Sequence, residues 1–310
     1  MIASLSDIEF LDTQVHKNMA IIPIKTPINY NLDMITLKKG FEMDLVNVKE
    51  CEQSTVNTLV VENKSVTPLL LIDGEEIVGG DQNRIVNGTI LIAPQSEMKI
   101  PVNCTEHGRW GYKKKFVHSD YIADFRTRSS KLRAAHAKSN VQAAVWNSID
   151  NLEMSRNYHS PTQAMTESYE NVKTDLSEFA DAFNIEKGQT GVAVIIDGKI
   201  KGFEIFLNSD VYMQYHEKIL KSYLINAEIN DSVFEINADE MKSVMADTLD
   251  SEFEQTKSVG LEKRFDLKND ERIGTIYSYE DELIHCSFYL DLDELQNDHQ
   301  MGDIPGRVVF

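Results

Sequence analysis

The most chemically loaded stretch of the chain runs from Asp73 to Trp110. Asp73-Gly74-Glu75-Glu76 is followed by Gly79-Gly80 and by Gln82-Asn83-Arg84. After two short apolar runs come Cys104-Thr105-Glu106-His107-Gly108-Arg109-Trp110. The glutamates supply charge, the arginines fork-shaped donors, Gln82 and Asn83 amide recognition, and Trp110 a stacking face. Glycines next to polar residues at strand ends let a backbone or a ligand come close. Such a set suits a nucleotide-sized ligand with phosphate and base parts. It equally suits a buried salt-bridged core in which Glu75 pairs with Arg84 and Arg109.

Other candidates lie further along. His285, in the alternating run Leu283-Ile284-His285-Cys286, could reach the same cleft or be a hydrogen-bonded core residue. His107 stands in a turn beside Glu106 and Arg109. Gln142 and Trp146 are four apart on one helical face, so they could line a pocket together or fill the core. The remaining histidines show no metal-ligand spacing, and the expectation is no metal and no cofactor. Phosphate-loop, nucleophile-elbow and His-Glu-x-x-His motifs are missing from the sequence.

The elements that must position these residues change character along the chain. Before about residue 115 the pattern is β. Ala20–Ile24, Thr58–Asn63, Leu69–Asp73, Thr89–Ile92 and Met98–Val102 read as short strands with turn residues between them. Met34–Lys39 reads as a single helical turn. From Ser129 to Phe183 helix spacing takes over, with a second helix starting near Ser160-Pro161-Thr162. Asp197-Gly198 between two apolar runs predicts a hairpin over 191–206. A helix opens at Ser209, another is expected around Ala238–Leu249, and 274–279 pairs with 282–289.

Composition narrows the function classes. The 310 residues are 42% hydrophobic and 26% charged, an ordinary globular balance. Apolar runs fall far short of the ~20 residues a membrane-spanning helix needs, and Met1–Glu9 lacks the pattern of a signal peptide. A cytoplasmic protein with no membrane partner is expected. Cys51, Cys104 and Cys286 stand far apart, which argues against a disulfide framework. The net charge of −19 opposes nucleic acid as a partner. Residues 107–138 nevertheless carry +7, from Arg109, Lys113, Lys114, Lys115, Arg126, Arg128, Lys131, Arg133 and Lys138 against Asp120 and Asp124. A basic segment in an acidic chain suits a small anionic ligand, or else is a solvated face balancing acidic neighbours.

The Asp-Gly-Glu-Glu string, the Gln-Asn-Arg triplet, the Ile-Pro-Val-x-Cys strand and the Glu-x-Gly-Arg-Trp turn resemble the ARG- and rhodanese-phosphatase-superfamily-associated protein domain. ARG there denotes ADP-ribosylglycohydrolase. The resemblance continues through Gln142–Trp146, the 188–206 hairpin, the Tyr223 helix and His285. It implies a place in NAD- and ADP-ribose-handling systems, and by extension in bacterial or viral conflict. Its motifs fall on Glu75, Glu76, Gln82, Asn83, Arg84, Glu106, Arg109 and Trp110. Gly79-Gly80-Asp81 departs from the family's small-plus-basic run at that place.

As an enzyme, Glu75 or Glu76 would be the general base on water attacking an anomeric or phosphoryl centre, with Arg84 or Arg109 stabilising developing charge. As a binder, the glutamates would take ribose hydroxyls and the arginines phosphate. The resemblance thus implies recognition, with hydrolysis or sequestration, of an NAD-derived or ADP-ribosyl nucleotide. The alternative is a non-catalytic module that binds a protein partner through its acidic surface, its polar cluster being structural.

The expected fold is α+β: an N-terminal β-sandwich-like half, a helical middle, and a second small antiparallel sheet packing back as one compact unit. The expected division is one composite domain over 1–290 (β-rich 1–128, helical 129–187, β/α 188–290). Residues 291–310 form an acidic tail, expected to be mobile.

Overall fold

The computed structural model describes residues 5, 8–27, 32–51, 56–106, 108, 114–232, 234, 236–267 and 272–290. The acidic tail from 291 lies outside these residues. Among them eighteen strands and seven helices form an α+β architecture with three sheets.

The N-terminal half is a sandwich. One layer is a six-stranded antiparallel sheet of β5 (Val46–Glu50), β6 (Thr58–Asn63), β11 (Ser96–Cys104), β9 (Arg84–Val86), β8 (Glu75–Gly80) and β12 (Lys114–Ile122). Against it lie three short strands, β4 (Ile35–Thr36), β7 (Leu69–Leu71) and β10 (Ile90–Ile92). Side chains alternate across a strand, and both faces of this small sheet are covered. Leu69 and Leu71 enter the sandwich core with Leu59, Val61 and Ile100, whereas Leu70 and Ile72 enter a second core beyond it. That explains why four apolar residues run without interruption at 69–72. Each such buried side chain contributes about 1.5–3 kcal/mol.

The second sheet is larger than the sequence suggests. Nine strands take part: β1 (Glu9–Phe10), β2 (Gln14–His16), β3 (Met19–Lys25), β13 (Gly191–Ile196), β14 (Lys199–Phe206), β18 (Glu282–Tyr289), β17 (Ile273–Tyr279), β16 (Lys263–Leu267) and β15 (Phe253–Thr256). The N-terminal strand β3 crosses the length of the chain to pair antiparallel with β13, Ile22 opposite Ala193. Local pattern cannot reveal such a pairing. β13 is buried at every position because apolar cores lie on both faces of the sheet.

The helical middle also differs in detail. α2 (Phe125–His136) begins four residues before the expected Ser129, because the Asp124 carboxylate caps the Arg126 and Thr127 amides, 3.1 Å each. α3 (Val141–Ser155) follows. The single helix expected from 162 is two short ones, α4 (Met165–Asn171) and α5 (Lys173–Ala180), broken at β-branched Val172 with φ −121°. α1 (Leu37–Glu42), α6 (Ser209–Leu224) and α7 (Ala238–Leu249) complete the set. No helix among the described residues is long and apolar enough to cross a membrane.

Candidate ligand cavity

Strand β8 sends its first two residues to opposite sides. Glu75 is fully buried against α6, where Tyr215 donates to Oε2 at 3.2 Å, the Ile72 amide does the same, and Lys218 Nζ lies 3.7 Å from Oε1. Burial pushes its pKa up, and Lys218 partly offsets this. The cation beside Glu75 is therefore Lys218, not Arg84. Arg84 instead lies 3.9 Å from Glu50 and donates to the Val56 and Asn83 carbonyls.

Glu76 meets hydroxyls from three elements. Thr105 (3.1 Å), Ser119 (2.9 Å) and Thr166 (2.8 Å to each oxygen) all donate to it. Burial raises its pKa and Glu106 adds to the rise. Asn83 ties the same region together, accepting from Gly79 N at 3.1 Å and donating its own amide to Glu106 at 3.3 Å. Glu106 also bridges to Ala164. Gln82 is fully buried, and neither of its amide atoms has a hydrogen-bond partner among the described residues. The Gly79-Gly80 pair has a steric cause. Both have positive φ (131° and 56°), and a Cβ would fall 2.7 Å from the Lys115 carbonyl and 2.2 Å from the Phe116 ring. Arg109, Trp110 and His107 lie outside the described residues.

The other predicted residues are built into the frame as well. The Gln142 side chain accepts from Cys104 N at 2.8 Å and donates to Cys104 O at 2.9 Å, so α3 clamps the end of β11. Trp146 is half-buried one turn on. His285, fully buried, links Thr89 Oγ1 (2.8 Å to Nδ1) to Glu204 Oε2 (3.3 Å to Nε2). Glu204 in turn pairs with Arg128 at 2.8 Å. Burial alone would raise Glu204, but Arg128 and His285 hold it below the usual carboxylate range.

Two members of the basic segment turn inward, while Lys114, Lys115 and Lys138 are exposed. Arg128 serves Glu204, and its guanidinium lies 5.3 Å from the Tyr289 ring centre. Lys131 reaches Asp73.

Asp73 opens onto the cavity that best fits a ligand. It has a volume of about 400 Å³, within the range of small-molecule sites. It lies where the two large sheets meet α2 and α3. Its wall includes Asp73, Lys131, Arg264, Tyr277, Asn87 and Asn103, together with Thr275, Ser287 and Gln142. Of the described residues named as candidate site residues from sequence, Gln142 lines it, as do Asp73 and Lys131, which the sequence marks only as parts of the acidic string and the basic segment. A second hollow, along Ile236–Asp239, is lined by four consecutive residues and no convergent group.

The turn that presents Asp73 follows from its sequence. Gly74 takes φ +79° at the third position of the Ile72–Glu75 turn, closed by Glu75 N to Ile72 O at 3.1 Å. Asp73 Oδ1 accepts from Gly88 N at 2.6 Å and from Lys131 Nζ, which also donates to Val86 O at 3.0 Å. Oδ2 has no partner among the described residues. Gly88 itself has φ +97°, and a Cβ there would lie 2.8 Å from the Tyr277 hydroxyl.

Across the cavity Arg264 stacks over Tyr277, 6.0 Å from the ring centre, with its Nε held by Asp266 at 2.7 Å. Burial alone would lower the Arg264 pKa, and Tyr277 and Asp266 more than offset it. Burial lowers that of Lys131, with Asp73 working against the fall. An accessible carboxylate oxygen and two cations thus converge on one cavity. No group of three or more His, Cys, Asp or Glu that could hold a metal is present among the described residues.

The ARG and rhodanese-phosphatase-superfamily-associated protein domain matches residues 7–289, nearly the whole chain and all three sheets. The chain belongs to that family. The family's description ties it to ADP-ribosylglycohydrolases and to the rhodanese-phosphatase superfamily by association. No curated protein and no solved structure is significantly similar to the chain.

Sequence reading missed Asp73, Lys131, Arg264 and Tyr277 as a group. Asp73 stands in the same Asp-Gly-Glu-Glu string as the glutamates, and reads there as a turn former. Lys131 belongs to the basic segment. Nothing local connects either to Arg264 or Tyr277, well over a hundred residues later.

Proposed function

We propose that this member of the family recognises an NAD-derived or ADP-ribosyl nucleotide, and that the cavity beside Asp73 receives it, as part of a defence or anti-defence system. The observation that carries this reading is the convergence of a carboxylate oxygen, Lys131 and Arg264 on one cavity. Guanidinium and ammonium groups match phosphate oxygens, a carboxylate matches sugar hydroxyls, and the Tyr277 ring adds a flat apolar wall. The family's association with ADP-ribosylglycohydrolases supports the same ligand class. Glu75 and Glu76, both fully buried, serve in this reading as supports of the frame and not as the base acting on water.

A thermal-shift panel of ADP-ribose, NAD, cyclic ADP-ribose isomers and ATP tests it, with each compound recovered and weighed by mass spectrometry. A ligand at a hundredfold excess over its Kd stabilises the folded chain by about 2.7 kcal/mol, a readily measured shift. A shift with the compound intact means sequestration or sensing, and consumption means hydrolysis and identifies the bond broken. No shift with any of the four overturns the nucleotide reading.

A further inference from the structure

The two cations of the cavity differ in what they have left to give. Lys131 is committed to Asp73 and to the Val86 carbonyl. Arg264 donates only through Nε, to Asp266 Oδ1 at 2.7 Å, and its two terminal nitrogens make no hydrogen bond among the described residues. They lie toward the Asp73 turn. A Cβ at Gly88, whose amide holds Asp73 Oδ1, would fall 3.8 Å from Arg264 Nη1.

The sheet accounts for this aim. Arg264 and Asp266 stand two apart on β16 and so share a face. Tyr277 lies directly opposite Arg264 on β17, and Thr275 opposite Asp266; both line the cavity. The Tyr277 ring supports the guanidinium from one side, and Asp266 takes its Nε. Asp266 is itself anchored from two other elements. Its Oδ2 accepts from Thr256 on β15 at 2.9 Å and lies 3.6 Å from Nε2 of His136, the last residue of α2. Burial alone would raise the Asp266 pKa, but His136, Arg264 and Thr256 hold it below the usual carboxylate range. The acceptor therefore stays ionised. A free arginine side chain samples many rotamers, and freezing one on binding costs affinity.

We propose that Asp266 is a positioning residue: anchored by Thr256 and His136, it holds Arg264 by Nε so that the two terminal nitrogens are presented, already fixed, to an anionic group in the cavity. The proposal rests on the nucleotide reading above for the identity of that anion, a phosphate. The two nitrogens form a fork that matches two phosphate oxygens. The sign of the effect separates positioning from charge. Asp266 partly cancels the charge of Arg264, so a purely electrostatic role predicts tighter anion binding once the carboxylate is gone. Positioning predicts weaker binding once the acceptor is gone.

The experiment is titration calorimetry of the intact chain with ADP-ribose and with inorganic pyrophosphate, on the wild type, Asp266→Ala, Asp266→Asn and Arg264→Lys. The Arg264 Nε–H resonance is followed by NMR in arginine-labelled protein, assigned by its loss in Arg264→Lys. Asp266→Ala is expected to weaken both ligands about three- to tenfold and to lose the Nε–H signal to solvent exchange. Asp266→Asn keeps an acceptor for Nε, so it recovers the signal and binds more tightly than Asp266→Ala. Arg264→Lys keeps the charge without the fork and weakens both ligands. Asp266→Ala binding as tightly as the wild type, or more tightly, overturns the positioning role, and so does a persistent Nε–H signal in that variant. Should Asp266→Ala not fold, loss of the signal in folded Asp266→Asn overturns the role, and its retention supports it. Pyrophosphate bound with the expected pattern while ADP-ribose is not bound keeps the role and overturns the nucleotide reading. Failure of the wild type to bind either overturns both.

Discussion

Asp73 and Glu76 stand three residues apart and meet opposite fates. Glu76, on a strand, points into a closed space where Thr105, Ser119 and Thr166 use both of its oxygens. Asp73, in the turn before that strand, spends one oxygen on Gly88 and Lys131 and keeps the other beside a cavity of about 400 Å³. The difference lies in the surroundings. A strand residue inside a sandwich is enclosed by whatever its neighbours supply, here three hydroxyls. A turn residue at the junction of sheets faces space that no single element fills. Composition ranks the glutamates higher, and geometry favours the aspartate.

The contrast breaks first where the frame is loaded most heavily. Glu204→Ala strips the counter-charge from Arg128, a pair with both side chains fully buried, and is expected to cost about 3–5 kcal/mol in urea unfolding. Since its folded pKa is depressed, Glu204 contributes stability above its ordinary value of 4.5. That stability is lost as pH falls through the folded value. Gly88→Ala forces a left-handed backbone on a residue whose Cβ meets the Tyr277 hydroxyl. It should cost about 1–3 kcal/mol and reduce ligand-dependent stabilisation in the same thermal scan.

Gln142→Ala removes the clamp on Cys104 and should cost about 1–2 kcal/mol, read by chemical denaturation. The smallest effect sharpens the comparison most. Glu76→Gln keeps the shape and the hydroxyl partners, so stability should change by less than about 1 kcal/mol and ligand binding not at all. Its folded pKa is raised by burial, so the wild type loses stability as pH rises above 4.5 through the folded value. The variant should show a flatter profile over that window, measured as unfolding midpoints from pH 4.5 upward. A variant that abolished ligand binding would return Glu76 to the site.

Local signals carried a good part of this fold. Asp197-Gly198 marked the β13–β14 hairpin, and α7 spans Ala238–Leu249 as its spacing predicts. The uninterrupted Leu69–Ile72 run marked a strand covered on both faces. What stayed hidden depended on distance along the chain. Ile22 meets Ala193, and Asp73 shares a cavity with Arg264 and Tyr277. In neither case does any residue near one partner betray the other. The polar richness of 73–110 was legible, but not which of its members are enclosed. That depends on Ser119, Thr166 and Lys218, which arrive from other elements.

A crystal structure of the chain with ADP-ribose tests the central claim most directly. The account predicts the nucleotide in the cavity beside Asp73, with a phosphate against Arg264. Ligand density beside Glu75, Glu76 or Gln82, with the Asp73 cavity left vacant, would contradict it.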